Sequence, residues 1–528
     1  MLPPLTEAVA GQVLVNKLLH VSHKLSIPSL LIVTVLISTV LILAIKNVQS
    51  SPYPLLNGKK GFELLNTRPK KEFMAHAWDM ISRQIKAAPD EIFRVIGEVG
   101  EIIVLPPKYA HELRNHRDLS FSQAAYRWYY GHLPGFEGFR EGTTESQVMK
   151  LVARHQLTHQ LTLVTKPVSE EAAAALRDIY TDDKNWHEVE IKPANLQLMA
   201  RITSRIFLGE EMCRNPDWLR ITATYTVQVF RAVEELRYFP TWLRDVVHWF
   251  LPQCTAARRM VQEARSLIEP LLETRRSKKT AAALKGEKCE YNDAIDWFEG
   301  LAREKQLQYD PATAQLSLSV ASLYSTTDCF TQALLDIAAH SELIEPLREE
   351  IVQVVGKGGW VKHSLYNLKL MDSVLKESQR LKPIAMASMR RYTTNEITLS
   401  DGNVLPKNRF TVVSANQHWD AAFYENPEVF DGYRFLRRRQ EGDKTKENLS
   451  QLVSTTPDHM GFGYGLHACP GRAFASEEIK IVLCHVLMKY DIKTVPGSDL
   501  TPRRFGLNMT VNPTAKVAIR RRDDIAII

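Results

Sequence analysis

The segment Gly461-Phe462-Gly463-Tyr464-Gly465-Leu466-His467-Ala468-Cys469-Pro470-Gly471-Arg472 sets a thiol among glycines, just ahead of an apolar-periodic stretch from Ala473 to Tyr490. That order describes a loop feeding a helix. Cys469 directly precedes Pro470, a residue suited to the first helical position, so its sulfur is expected to face free backbone N–H groups and the positive end of the helix dipole. Such surroundings stabilise a thiolate. Gly463, Gly465 and Gly471 let a turned backbone press close to something flat, and Phe462 can shield one side of the sulfur from water. On these residues alone a buried free cysteine in a turn remains an equal alternative. A phosphate-binding loop would need the order G-x-x-x-x-G-K-[ST], which is missing here.

Two further groups of residues could support chemistry at such a thiolate. Glu377 and Arg380 are three apart in a helical pattern, where an ion pair on one face is natural. Asp310-Pro311 supplies an N-cap and a first-turn proline for a long helix from Ala312 to about His340, which carries the hydroxyl-rich run Ala321-Ser322-Leu323-Tyr324-Ser325-Thr326-Thr327-Asp328.

These groups need a large scaffold, and the chain supplies one. Its 528 residues are 45% hydrophobic and 24% charged, which excludes a disordered, collagen-like or disulfide-scaffold chain. The 67 Lys+Arg against 60 Asp+Glu leave +7, too little and too dispersed for nucleic acid; the clusters Lys70-Lys71, Arg437-Arg438-Arg439 and Arg520-Arg521-Arg522 read as solvated faces. Six scattered cysteines without a C-x-x-C pair fit a reduced compartment and argue against zinc. Ile27 to Ile45 carries no charge and as a helix spans about 28 Å, the thickness of a bilayer core. Lys17 and Lys24 precede it, whereas Lys46, Lys59, Lys60, Arg68, Lys70 and Lys71 follow, so the positive-inside rule puts the C-terminal part in the cytoplasm. The expected layout is a luminal tail (1–26), a transmembrane anchor (27–45), a proline-containing hinge (46–60) and one catalytic domain (61–528). Short strand-like stretches occur at Phe93–Ile96, Ile102–Leu105, Glu396–Leu399, Arg409–Val413 and Lys516–Ile519 among dominant helical patterns. The fold class is mainly α with a minor β-sheet region.

The pattern F-x-x-G-x-x-x-C-x-G at Phe462, Gly465, Cys469 and Gly471 resembles the haem-ligand signature of the cytochrome P-450 family, the haem-thiolate monooxygenases. Glu377 and Arg380 are similar to its E-x-x-R motif, and Asn426 to Phe435 to its meander, whose arginine, Arg434, would complete a Glu-Arg-Arg cluster. The resemblance implies the cytochrome P-450 fold and a haem b cofactor with Cys469 as axial thiolate, pushing electron density toward dioxygen so that the O–O bond cleaves. It places His467 near one haem propionate and either Arg390 or Arg391 at another, with Lys150, Arg154 and His155 as candidates for a third contact. Against the family's A-G-x-[D/E]-T-T pattern, Ser325 and Thr326 fall at the proton-delivering hydroxyls. Tyr324 falls at the acid, for which a phenol of pKa about 10 cannot substitute; Asp328, one turn on, is a possible replacement.

His132 to Phe136, Ala338 to His340, Pro346 to Ile351 and Leu375 to Arg380 look like fungal microsomal members such as ent-kaurene oxidases and dihydromonacolin monooxygenases. That likeness implies an endoplasmic reticulum enzyme of secondary-metabolite biosynthesis that oxidises an apolar terpenoid or polyketide with O2. Its electrons would come from NADPH-cytochrome P-450 reductase, and membrane lipid would be a further partner. By the same likeness, regions around Phe121 to Phe136, Val227 to Phe250 and Pro383 to Ser388 would meet the substrate. A thiolate-haem isomerase or dehydratase, or a non-catalytic haem-binding protein, would share the cysteine signature.

Overall fold

The computed structural model describes residues 51–523 except 62, 64, 144–147, 158 and 159, together with Leu31, Thr34, Val35 and Ser38. Two units are distinct, residues 1–53 and 54–528. In the first, the four isolated residues are helical and exposed. The rest of the expected anchor, 27–45, and the tail 1–26 lie outside the described residues. Among the described residues no helix is long and apolar enough to cross a membrane.

The second unit starts inside the expected hinge. The Pro54 carbonyl accepts from Arg94 N at 2.8 Å, Leu56 N donates to the Arg94 carbonyl at 3.0 Å, and the Asn57 side chain bonds Ile96 N at 2.7 Å. The chain is therefore fastened to a strand from Pro54, ahead of the boundary expected at residue 61.

Helix α1 (Thr67–Ala87) leads to the hairpin β1 (Phe93–Gly97) and β2 (Gly100–Leu105), then to β3 (Leu119–Ser120) and α2 (Phe121–Trp128). Helix α3 (Leu161–Ile179), strand β4 (His187–Glu190) and helices α4 (Ile191–Phe207), α5 (Pro216–Leu236), α6 (Pro252–Leu284) and α7 (Ala294–Lys305) follow. Next come α8 (Pro311–Ala339), α9 (Lys369–Leu381), β5 (Ala387–Thr393) and β6 (Phe410–Ser414). Helix α10 (Arg472–Lys489) and strands β7 (Tyr490–Thr494), β8 (Arg503–Phe505), β9 (Asn508–Thr510) and β10 (Lys516–Arg521) complete it.

Local chemistry accounts for the principal helix starts. Asp310 accepts from the N–H groups of Ala312 and Thr313 at 3.0 and 3.1 Å, with Pro311 at the first helical position, so α8 begins where the sequence predicts. Asn215 and Asp293 cap α5 and α7 in the same way. Helix α8 is apolar on most of its circumference, as a central helix must be, and packs against α4, α6, α9 and α10. The main core surrounds it, with Leu198, Ile206, Phe330, Leu334, Leu375 and Val482 buried. A second core under the sheet gathers Phe73, Trp78, Val95, Val104 and Val412.

The sheet runs β1-β2-β6-β5-β3, antiparallel except for the parallel pair β2·β6, where Ile102 faces Phe410 and Val104 faces Val412. The pairing of β5 with β6 slips between Ser388 and Arg391, next to Met389 at φ +50°. This bulge governs how two adjacent arginines are aimed. A three-stranded sheet β4-β10-β7 and the hairpin β8-β9 are separate. Strand β5 has no alternating apolar pattern and the sequence did not reveal it; the stretch 396–399 keeps only the two-residue strand Ile397–Thr398. Nor is the 437–439 cluster a purely solvated face, since Arg439 is buried and pairs with Asp372.

The expected Glu-Arg-Arg cluster forms. Glu377 and Arg380 are fully buried and joined by two bonds of 2.8 Å, and Arg434 Nε donates to Glu377 Oε1 at 3.0 Å. The spare N–H groups reach carbonyls in and ahead of the meander: Arg380 to Pro427 at 2.7 Å and to His418, and Arg434 to Glu425 at 2.6 Å. The cluster thus ties α9 to the segment 418–434. Glu377→Ala strands two guanidinium groups, one wholly buried, and is expected to cost about 3 to 5 kcal/mol of stability. Denaturant unfolding of the purified protein measures it, and an unchanged midpoint would refute this role.

Candidate cofactor site

The cysteine loop is shaped by its own backbone. Cys469 N donates to the Phe462 carbonyl at 2.8 Å, Gly463 N to Met460 at 2.9 Å, and Ala468 N to Gly465 at 3.0 Å across a 3-10 turn. Gly465 has φ +76°, and a Cβ there would lie 2.4 Å from Arg114 Cβ and 2.5 Å from its carbonyl oxygen. Only glycine fits that approach. Asn115 accepts from Leu466 N at 2.8 Å, and Arg114 donates to Tyr464 OH at 2.9 Å. Neither Arg114 nor Asn115 carries a signal in the sequence, because their contact with the loop spans some 350 positions of chain.

The helix starts later than expected. Gly471 is the N-cap and Arg472 the first residue of α10, so Pro470 lies in the turn before the helix. Burial pushes the Cys469 thiol above its usual range, while the Gly471 N–H and the Arg472 charge pull it down. Arg472 also donates to the Cys469 carbonyl at 2.8 Å and to Val453 at 3.1 Å, pinning the loop from behind.

Beside this loop lies a cationic cradle. Arg391 is 3% exposed, yet its Nε and one Nη have no partner, and burial lowers its pKa to about 10. Burial, and then the charges of Arg391 and Lys150, depress His467 to about 4. Lys150 in turn is lowered by burial and by Arg154 and Arg391. The ring of Phe121 lies 5.9 Å from the Arg391 guanidinium and 6.2 Å from the His467 ring. Among the described residues no carboxylate pairs with Lys150, Arg154, Arg391 or His467. Buried N–H groups without acceptors among like charges fit an anionic group at this place. Of His155 the side chain lies outside the described residues.

Arg390 is not part of the cradle. Its guanidinium donates to Asn508 Oδ1 at 2.7 Å and to Tyr129 OH at 3.4 Å and covers the Trp128 ring. Of the two arginines, Arg391 is the one in the cradle.

The hydroxyl run of α8 is sorted by its helical face. Ala321, Ser322 and Ser325 lie along an accessible stripe, whereas Thr326 and Thr327 are turned into the packing, so Ser325 and not Thr326 is the available hydroxyl. Ser325 donates to the Ala321 and Ser322 carbonyls at 3.1 Å. Tyr324 donates to the Ala223 carbonyl of α5, and burial, followed by the nearby Asp328, pushes it up to about 12. Asp328 is engaged with Lys192 at 2.8 Å and accepts from Thr510, so it is neither a free acid nor solvent-facing.

The sequence profile described as Cytochrome P450 matches residues 73–519. The chain is 67% identical over 441 residues to cytochrome P450 monooxygenase 1 of Gibberella fujikuroi, covering 83% of this chain and 100% of that one. It is 46% identical to cytochrome P450 monooxygenase hepE of Aspergillus oryzae, over 89% of this chain and 86% of the other. Among solved structures, the retinoic acid-bound cyanobacterial CYP120A1 superposes with a TM-score of 0.65 at 18% identity, over 90% of this chain and 100% of that one, and shows the same fold. With a thiol loop and a cationic cradle joined on this scaffold, the chain belongs to the cytochrome P450 family, monooxygenases that hold haem through a cysteine thiolate and take electrons from a redox partner.

Proposed function

We propose that this chain is a membrane-anchored, single-pass monooxygenase of the endoplasmic reticulum, with its catalytic domain (61–528 by sequence) in the cytoplasm. It hydroxylates or successively oxidises an apolar natural-product intermediate, a terpenoid or polyketide of fungal secondary metabolism. O2 is the oxidant, and electrons come from NADPH through NADPH-cytochrome P-450 reductase. The observation that carries the cofactor assignment is Arg391, a buried guanidinium with two unpartnered nitrogens beside the Cys469 loop.

Cys469 would hold the haem iron through its thiolate, Arg391, His467 and Lys150 would hold the haem propionates, and Gly465, Gly471 and Phe462 would let the loop lie close to the ring. When bound, the haem supplies O2 activation and transfer of one oxygen atom to carbon. Ser325 presents the hydroxyl that holds water and relays protons on the accessible stripe of α8.

The apolar Ile27 to Ile45 supports the anchor. Membrane contact by the folded unit is supported by Tyr238, Trp242, Val246, Trp249 and Phe250, each at least half exposed. Burial, and then the charges of the nearby Arg244 and Arg237, lower Lys70 to about 8. Aromatics bordered by cations suit the headgroup layer. A second reading, a reductase-independent isomerase or dehydratase, is favoured by Tyr324, whose phenol occupies the acid position and is bonded to Ala223.

Cys469→Ala is expected to abolish the red-shifted absorption band of the reduced carbon monoxide complex; survival of that band overturns the ligand assignment. Arg391→Ala is expected to hold haem roughly tenfold less tightly, the cost of losing charge-assisted bonds, read as haem per polypeptide after gel filtration. Turnover of metabolite extract from a gene-deletion strain is expected only with NADPH and reductase. Product formed without them establishes the isomerase reading instead.

A further inference from the structure

Arg390 is left over when the charges around the cofactor site are accounted for. Among the described residues no carboxylate lies within ion-pair distance of its guanidinium, and its partners are neutral: Asn508 Oδ1 at 2.7 Å, Tyr129 OH at 3.4 Å and the face of Trp128 at 5.1 Å. A guanidinium has five N–H donors, and these contacts use two of them. Several other buried or half-buried arginines are matched by carboxylates: Arg348 with Asp491, Arg380 and Arg434 with Glu377, Arg439 with Asp372. Arg391 also lacks a carboxylate, and under the proposed function the haem propionates would answer for it.

The surroundings of Arg390 describe a pocket wall. Tyr129 stacks on Phe139 at 4.4 Å, and Phe230 of α5 stands edge-on to Tyr129 at 5.8 Å and 5.7 Å from Phe139. Phe230 is 38% exposed, so this aromatic surface is not sealed in the core. Phe139 belongs to the short helix Glu137–Arg140, which packs against α8, the helix that carries Ser325. At its other end α2 brings Phe121 to the haem-propionate cradle, seven residues or roughly 10 Å before Trp128. Arg390 therefore lies one short helix away from the cofactor, at the polar end of an aromatic wall. Three distant stretches of chain, 128–129, 390 and 508, converge to hold it there, and the bulge at Met389 turns it away from its neighbour Arg391.

We infer that Arg390 is a specificity-determining residue that receives a carboxylate of the substrate, and that the substrate class is apolar carboxylic acids. The acid group lies on the guanidinium fork, with Tyr129 and Asn508 holding the fork in plane. The hydrocarbon body lies along Tyr129, Phe139 and Phe230 toward α8, which fixes the distance between the acid group and the carbon presented for oxidation. This narrows the natural-product class named above and rests on the haem-thiolate reading.

The test is a spectral titration of the haem-loaded protein with two acid and ester pairs, abietic acid with methyl abietate and dodecanoic acid with methyl dodecanoate, at pH 7.5 (about three units above the usual carboxylate range). In at least one pair the acid is expected to bind roughly tenfold more tightly than its ester, the effect of one charge-assisted contact. The preference is expected to vanish in Arg390→Gln. It should vanish also in Asn508→Asp, which leaves the arginine in place and offers it a carboxylate from the protein. An Arg390 that served only to latch the hairpin β8-β9 would leave the acid-to-ester ratio unchanged. Equal binding of acid and ester in both pairs, or a preference that survives both substitutions, overturns the inference. The reduced carbon monoxide band of the same samples separates that outcome from failure of the haem-thiolate reading, which would abolish the band in the unsubstituted protein.

Discussion

The buried carboxylate of Glu377 is the point on which the cofactor site depends. It accepts from Arg380 through both oxygens and from Arg434 and the Asp431 N–H through one, so two guanidinium groups, that of Arg380 wholly buried, share a single counter-charge. With its charge balanced, Arg380 is free to spend its outer N–H groups on the carbonyls of His418 and Pro427. His418 carries the constraint onward. Its Nδ1 bonds the Arg380 carbonyl at 3.1 Å and its Nε2 accepts from Met460 N at 2.9 Å, one residue before the cysteine loop. That pair of bonds requires a neutral imidazole, and burial, outweighing the Arg380 bond, lowers its pKa to about 4. Lys376, beside Glu377, donates to the carbonyls of Leu449, Gln451 and Ser454 and fixes the approach to the same loop. The thiol is thus positioned from α9, some ninety residues upstream, and not by its own loop alone.

The electrostatic contrast between the two ends of α9 and the start of β5 separates structure from function. Charges that hold the fold are paired and closed: Glu377 with its arginines, Asp372 with Lys480 and Arg439, Asp491 with Arg348. Arg390 and Arg391 are open, and they are adjacent in sequence. A bulge in β5 gives them different surroundings, one among cations near Cys469, the other among aromatic rings and an amide. Unpaired buried guanidinium groups oppose folding in the absence of a ligand. Of the two, Arg391 carries that cost, since its Nε and one Nη are buried without a partner, whereas Arg390 is half-buried and bonded to neutral groups.

Much of this was legible in the sequence because it depends on short spacings. Glycine positions around Cys469, the three-residue step from Glu377 to Arg380, and the Asp310-Pro311 start of α8 are local signals, and each reappears in the structure. What was not legible depends on long-range pairing or on the face of an element. Strand β5 alternates in burial, but its buried side carries Arg391 and Thr393 beside Ala387 and Met389, so no apolar alternation shows in the sequence. The choice of Arg391 over Arg390 turns on a one-residue slip against β6. The choice of Ser325 over Thr326 turns on 100° of helix rotation, and the contact of Gly465 with Arg114 joins segments that no local pattern relates.

The missing acid at position 324 can be understood from what surrounds it. The phenol of Tyr324 spans the gap to α5 and donates to the Ala223 carbonyl, so position 324 ties two helices together. The next acid on α8, Asp328, is held by Lys192 and Thr510, so it anchors α4 and β9 to the helix. Neither group is placed to release a proton. The requirement falls on Ser325 and water along the accessible stripe. Ser325 donates to its own helix, to carbonyls three and four residues back, leaving its oxygen lone pairs for water. A hydroxyl in that state accepts a bond and passes a proton by turning its O–H, so in the proposed monooxygenase a chain of waters ending on Ser325 would do the work of an acid side chain at position 324.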